Sequence, residues 1–172
     1  MAMLPSVDLG LMAEHLKAHE GVISKLQFYQ SQVDDNKLKK ILELQENMML
    51  AHVKVMLGLI HPYEQNYIEV PPLVFSNHHH DPVFNIPNSH QKWIALEAKN
   101  TAKSMSNRNY VSALMMNNQN ARNAHVEMAL QQLAIQERLE AFINRMGWGF
   151  FPKATREEQI QTYQQFHHLL QA

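Results

Sequence analysis

The chain has 172 residues, with 15 Lys or Arg against 16 Asp or Glu and no cysteine. A chain of this length buries about 70% of its unfolded surface in one domain, so it can fold without disulfide or metal cross-links. The absence of cysteine excludes disulfides, thiolate metal sites and a thiol nucleophile. The net charge of -1 provides no single-sign field of the kind that steers proteins to nucleic acid. We therefore predict no nucleic-acid partner.

The hydropathy pattern argues against a membrane protein. No window approaches the roughly 18 consecutive apolar residues of a membrane span. The N-terminal residues lack a basic segment followed by an apolar run, which is the pattern of a signal peptide. We predict no membrane span and no signal peptide, and therefore synthesis in the cytoplasm.

The first sixty residues predict two helices, over about 8–33 and 35–60. Their core-facing positions recur at spacings of three and four, as in amphipathic helices. Asp34 and Asp35 provide turn and N-cap chemistry between them, and Pro62 forbids continuation of the second helix. The predicted stripes are Leu9, Met12, Leu16, His19, Ile23, Leu26, Gln30 and Val33, then Leu38, Leu42, Gln45, Met49, His52, Met56 and Leu59.

The second half of the chain predicts two more helices after a proline-rich connector. Residues 61–88 contain five of the seven prolines and form the predicted connector. A third helix is predicted over about 89–117 and a fourth over about 121–146. The predicted stripes are Ile94, Ala98, Thr101, Met105, Val111 and Met115, then Ala124, Met128, Gln131, Ile135, Leu139, Phe142 and Met146.

The exit from the fourth helix has a sharp stop signal. Gly147 fits the C′ position, where a left-handed backbone costs glycine least, and Trp148 can pack back on Ile143. Thr155 and Glu158 have the spacing of a capping box. We therefore predict a short helix over residues 156–170, within a C-terminal tail of residues 148–172.

The length of the connector decides the predicted topology. Helices of 26 to 28 residues are about 40 Å long, and neighbouring bundle ends need connections of only about 2 to 8 residues. A connector over residues 61–88 can instead run along the bundle. The pattern predicts one domain over residues 1–172, an all-α, ferritin-like four-helix bundle of two antiparallel hairpins joined by a long crossover loop. An up-down-up-down bundle is the alternative.

The exit from the fourth helix resembles the end of the spore coat protein F family. Residues 137–148 close with Gly147-Trp148, as the family's last helix does. The similarity extends to the first hairpin at Leu16, His19, Tyr29, residues 38–41 and His52. Residues 149–152 read Gly-Phe-Phe-Pro where Tyr-rich sequence is usual in the family. The resemblance implies a ferritin-like domain of endospore-forming bacteria, associated with the spore coat and without an established catalytic role.

A ferritin-like pair of metal ions needs a Glu from each of two helices and a Glu-x-x-His from each of the other two. His52 is preceded at i-3 by Met49, and His125 is preceded by Arg122, so both positions lack the carboxylate. His19 and Glu20 are predicted near the same height in the bundle.

The residues that could hold a metal are therefore His19, Glu20, His52 and His125, as a site for one Zn²⁺ or similar ion. The competing interpretation is that the interior histidines bond to Gln45, Gln131 or backbone carbonyls. His15 is expected in solvent.

The connector's His78, His79 and His80 resemble an affinity tag and predict adventitious divalent-metal binding. No other cofactor and no catalytic residue is predicted, since Gly-rich phosphate loops and the Gly-x-Ser-x-Gly motif are missing. We expect a non-enzymatic structural or assembly component of the spore coat. Its expected partners are other coat proteins or itself, as a homo-oligomer. The alternative is a ferritin-like metal-binding protein or metal-dependent oxidoreductase with a degenerate His-rich site.

Overall fold

The computed structural model describes residues 3–64, 66–75 and 89–170. Within these ranges the secondary structure is entirely helical, which confirms the all-α prediction. The helices are α1 (Ser6–Gln32), α2 (Asn36–Ile60), α3 (Ser89–Met115), α4 (Gln119–Arg145) and α5 (Arg156–His167), followed by a 3₁₀ turn (His168–Leu170). None of the described helices is both long enough and apolar enough to cross a membrane.

Local side-chain chemistry fixes the helix boundaries. The Asp35 carboxylate accepts hydrogen bonds from the backbone N–H groups of Lys37 and Leu38 at the start of α2. The side chain of Asn118 caps α4 in the same way. These caps satisfy first-turn donors that have no partner within the helix.

The predicted stop after α4 is also present. Gly147 has a φ of 69°, and the Trp148 N–H donates to the Ile143 carbonyl at 3.0 Å. The Trp148 side chain packs on the cluster of buried apolar residues that includes Ile143. This is the Schellman arrangement that the Gly-Trp pair predicts.

Three hydrogen bonds between helix ends establish the topology. The Asp35 N–H donates to Gln91 Oε1 at 3.0 Å, which places the start of α2 beside the start of α3. The Asp8 carboxylate accepts from the N–H groups of Asn117 and Asn118 at 3.0 and 2.7 Å, which places the start of α1 beside the end of α3. Helices α2 and α3 therefore run parallel, and the up-down-up-down alternative is wrong.

The described part of the connector runs alongside α4. Asn120, near the start of α4, exchanges two hydrogen bonds with the backbone of Ile68. Further along, the Pro71 carbonyl accepts from Gln131, and the Arg138 guanidinium lies 3.6 Å from the Phe75 ring centroid. The positions on α4 from 120 to 138 cover about 27 Å at 1.5 Å per residue. The predicted crossover is therefore present over these residues.

The core consists of two apolar clusters at opposite ends of the bundle. One cluster includes Leu26, Leu42 and Phe142, and the other includes Met12 and Met56. Polar side chains fill the layer between the two clusters. The interior is thus apolar at both ends and polar in the middle.

Several stripe predictions are wrong, because apolar character was used to choose the buried face. Leu9 on α1 and Val111 and Met115 on α3 are each nearly half exposed. Asp8 is fully buried instead of Leu9, since its carboxylate binds the turn between α3 and α4. The second half of α3 buries polar and small residues that face the polar layer and α4, namely Asn109, Ser112 and Ala113.

Candidate functional site: the buried histidine layer and the exposed tail

Four histidines lie together in the middle of the bundle, and we call them the histidine layer. His15 and His19 come from α1, His52 from α2 and His125 from α4, and none is more than 1% exposed. The ring centroids are 5.0 Å apart for His15 and His125, 5.8 Å for His19 and His52, and 6.2 Å for His15 and His19. Three helices thus bring four imidazoles together in a row, in the order His125, His15, His19 and His52, in which each ring contacts the next.

The layer brings together three of the four residues predicted as metal ligands and does not include the fourth, Glu20. Glu20 is exposed, because one residue along a helix rotates the side chain by about 100° away from the face of His19. His15, which was expected in solvent, is buried in the layer. The signal for it was its i, i+4 spacing to His19, which places both on one face.

Backbone carbonyls orient two of the imidazoles. His19 Nδ1 lies 2.7 Å from the His15 carbonyl oxygen, and His125 Nδ1 lies 2.9 Å from the Ala121 carbonyl oxygen. A carbonyl only accepts, so in each neutral ring Nδ1 carries the hydrogen and Nε2 keeps a lone pair. Both Nε2 atoms are buried and have no hydrogen-bond partner among the described residues.

Side chains orient the other two imidazoles. His52 Nε2 lies 3.0 Å from Gln131 Oε1, while the Gln131 amide nitrogen donates to the Pro71 carbonyl. The amide is thereby fixed with its oxygen toward His52, so His52 Nε2 carries the hydrogen and Nδ1 keeps the lone pair. His15 Nε2 pairs with the Ser112 hydroxyl at 2.8 Å, a contact in which either group can donate.

Burial keeps these imidazoles neutral. It lowers the pKa of His15 and His52 to about 3 and that of His19 to about 4, because a low-dielectric interior disfavours the charged form. Burial also lowers the pKa of His125, which the hydrogen bond to the Ala121 carbonyl opposes.

Neighbouring charges modify the effect of burial. Repulsion from neighbouring rings contributes to the low pKa values of His15, His19 and His52, and Arg108 on α3 contributes for His15 and His19. The Asp8 carboxylate favours protonation of His125.

The layer supplies nitrogen ligands and no carboxylate. Met49, at the i-3 position of His52, accepts a hydrogen bond from Gln132 at its sulfur. Arg122, at the i-3 position of His125, turns away and donates to the Met116 carbonyl at the end of α3. Imidazoles suit one ion such as Zn²⁺, whereas an oxidised metal pair needs anionic oxygens.

The four rings do not yet form a closed ligand set. Among the described residues, no three His, Asp or Glu side chains are already arranged to hold a metal ion. The predicted adventitious site at His78, His79 and His80 lies outside the described residues. What the structure provides is therefore a cluster of oriented donors.

A second candidate site is the tail helix α5, which exposes an apolar face. The capping box between Thr155 and Glu158 is present at its start, as predicted. No residue of α5 is buried. Its apolar side chains Ile160, Tyr163 and Phe166 are 46%, 63% and 53% exposed, and their spacing of three places them along one side of the helix.

The bundle also exposes an apolar surface where α3 and α4 lie side by side. Tyr110 and Leu114 on α3 and Leu130 and Leu133 on α4 are all exposed, and we call these four residues the α3–α4 strip. Tyr110 and Leu133 line a shallow hollow of about 300 Å³ between the two helices. Contiguous exposed apolar surface of this kind marks interaction sites on proteins.

In comparisons with known proteins, no family model, no curated protein and no solved structure matches this chain. The resemblance to the spore coat protein F family therefore depends on the residues quoted above. Membership of that family, the ferritin-like class and a role in the coat are proposals.

Proposed function

We propose that this chain is a non-catalytic structural or assembly component of the bacterial spore coat, acting through protein–protein contacts. The proposed location in the spore coat rests on the Gly147-Trp148 end of α4, which resembles the spore coat protein F family. The observation that carries the assembly role is the apolar face of α5, which no part of the described bundle buries. A helix of 12 residues is marginal alone in water, so packing against a neighbour is its natural source of stability.

The occupant that fits best is a second copy of the same chain. In this arrangement Ile160, Tyr163 and Phe166 of one copy pack on the α3–α4 strip of the next copy. Because the two surfaces differ, the contact is head-to-tail, and a head-to-tail contact that does not close into a ring builds an extended array. An extended array is the form of assembly that a surface coat requires.

The alternative, a metal-binding protein or metal-dependent oxidoreductase, is favoured by the histidine layer. The layer offers imidazoles without carboxylates, because Glu20 is exposed and Met49 and Arg122 occupy the i-3 positions. This ligand set supports metal binding better than oxidation at a metal pair.

Sedimentation velocity of the full chain over a range of concentrations tests the assembly role. We expect oligomers that grow with concentration, and we expect the double variant Ile160→Ser, Phe166→Ser to remain monomeric. The matched control is Gln161→Ser with Gln165→Ser, which alters the opposite side of α5 and should assemble normally. A wild-type chain that stays monomeric, or an apolar-face variant that assembles like the control, would contradict the proposal.

The place of action needs a separate experiment. An N-terminally tagged chain, which leaves the tail free, would be expressed during sporulation of an endospore-forming bacterium. We expect it in the coat extract of purified spores, and we expect the Ile160→Ser, Phe166→Ser variant to be depleted there. Recovery of the wild-type chain only from the mother-cell lysate would contradict a coat role even if the protein assembles in solution.

A further inference from the structure

The histidine layer contains more unpartnered hydrogen-bond acceptors than donors. Its unpartnered acceptors are His19 Nε2, His52 Nδ1 and His125 Nε2. The remaining unpartnered ring nitrogen, His15 Nδ1, can donate or accept, depending on the tautomer. Lone pairs cannot satisfy one another, and a buried polar group without a partner is costly. A bound electron-pair acceptor would therefore satisfy the unpartnered nitrogens of the layer.

We propose that the histidine layer binds one divalent transition-metal ion of the zinc class, through the unpartnered ring nitrogens of His15, His19, His52 and His125. This goes beyond the assembly role and does not depend on it. A metal ion accepts several electron pairs at once, so a single ion can bind the lone pairs of several ring nitrogens. The site combines one helical i, i+4 histidine pair with one histidine from each of two further helices.

The ring spacings are close to those that such an ion requires. With a zinc–nitrogen bond of about 2.0–2.1 Å, two imidazoles on one tetrahedral ion have centroids roughly 5 Å apart. The three adjacent pairs of rings, at 5.0, 5.8 and 6.2 Å, are within about 1 Å of that spacing. The rings of the non-adjacent histidines also have to move closer, by rotation about their side-chain bonds, for all four nitrogens to reach one ion.

The hydrogen bonds on the outer nitrogens are those of metal-binding histidines. A ligating imidazole typically donates its other N–H to a carbonyl or carboxylate, which fixes the tautomer and the ring orientation. His19 and His125 donate to backbone carbonyls, and His52 donates to Gln131, which is itself held by Pro71. Three lone pairs are thus oriented before any ion arrives.

The same ligands select among metals. Neutral imidazoles suit Zn²⁺, Co²⁺, Ni²⁺ and Cu²⁺, whereas Mg²⁺, Ca²⁺ and Mn²⁺ prefer oxygen ligands. The nearby Asp8 carboxylate is engaged by the N–H groups of Asn117 and Asn118. It remains close enough to affect His125 electrostatically, so it offsets part of the ion's charge without serving as a ligand.

The test uses the untagged full chain with His78→Ala, His79→Ala and His80→Ala, so that the connector cannot bind metal. Because all four imidazoles are shielded from solvent, the protein is refolded with Zn²⁺ or with Co²⁺ as well as titrated when folded. We expect one Zn²⁺ per chain and the visible absorption of tetrahedral Co²⁺. Excess Mg²⁺ or Mn²⁺ should not compete.

Variants of the layer identify the ligands. We expect His19→Ala, His52→Ala and His125→Ala each to weaken Zn²⁺ binding by at least about 100-fold. Gln131→Leu, which removes the group that orients His52 together with its hydrogen bond to the Pro71 carbonyl, should weaken it by about 10- to 100-fold. The exposed tail variant His168→Ala should bind like its parent.

Folding is checked by circular dichroism, and His52→Gln replaces any alanine variant that does not fold. The proposal is overturned if the refolded parent holds no Zn²⁺, in which case water fills the layer. It is also overturned if binding survives both His19→Ala and His125→Ala.

Discussion

The middle of the bundle and the tail helix are unusual in opposite ways. The histidine layer buries polar atoms that have no hydrogen-bond partner among the described residues, whereas α5 exposes apolar side chains on a helix with no buried residue. A single folded chain ordinarily avoids both, because each costs free energy. The comparison suggests two different missing partners: a small electron-pair acceptor inside, and a protein surface outside.

The two regions also differ in how tightly they are coupled to the rest of the fold. The histidine layer connects α1, α2 and α4 and is sealed by apolar clusters on both sides. Helix α5 lies beyond the Gly147 stop signal, and none of its residues is buried or belongs to those clusters. Changes in the layer should therefore alter the stability of the whole bundle, and changes in the tail should remain local.

Acid should produce the largest effect. In the unfolded chain a histidine has a pKa of about 6.5, and burial lowers the folded pKa to about 3 for His15 and His52 and about 4 for His19. Between these values the unfolded chain binds more protons. The stability that the neutral rings allow is therefore complete above about pH 6.5 and lost as the pH falls below it.

Each such histidine contributes about 1.4 kcal/mol per pH unit to the fall in stability, so the metal-free bundle should unfold in mild acid. Urea unfolding in chelator at about pH 7, 6 and 5 measures the slope. In His19→Leu the slope should drop by about 1.4 kcal/mol per pH unit, while Gln45→Leu, at a buried position that does not titrate, should leave it unchanged. Equal slopes in His19→Leu and the parent would mean that His19 is not buried in a neutral form.

Truncating one phenylalanine in each region should separate the bundle from the tail directly. Phe142 is 2% exposed, and Phe142→Ala should lower the free energy of unfolding by about 3–5 kcal/mol, since it leaves a cavity in the apolar cluster. Phe166 is exposed, and Phe166→Ala should change it by less than about 0.5 kcal/mol. Both are measured by urea unfolding of dilute monomer. A loss above about 1 kcal/mol in Phe166→Ala would show that the tail packs on its own bundle.

The sequence predicted the helices, their order and the crossover, because these follow from local chemistry. Prolines, caps at Asp35 and Thr155 and the Gly147 stop act over a few residues, and the connector's length is a direct count. The histidines at 19, 52 and 125 could be placed near one height because helices rise uniformly by 1.5 Å per residue.

The errors come from contacts between distant residues. Asp8 is buried because it binds the N–H groups of Asn117 and Asn118, more than a hundred positions away. Its charge gave no hint of this. The buried face of α1 was predicted from its apolar residues, including Leu9 and Leu16, and this placed His15 in solvent. The assumption fails in the middle of the bundle, because the core there is polar.

The smallest effect on global stability, and the sharpest test of the comparison, comes from two helix caps of similar chemistry. Thr155 caps α5 and Asn118 caps α4, and removing such a cap costs its helix about 1 kcal/mol. Asn118→Ala should lower global unfolding stability by about that amount, because α4 is packed in the bundle. Thr155→Ala should lower it by less than about 0.5 kcal/mol, because an unpacked helix can fray without disturbing the core. Amide hydrogen exchange should then quicken over residues 156–167 and stay unchanged over 119–145. An equal loss of global unfolding free energy in the two variants would mean that the tail is part of the folded bundle. The apolar face of α5 would then pack on its own chain and not on another copy.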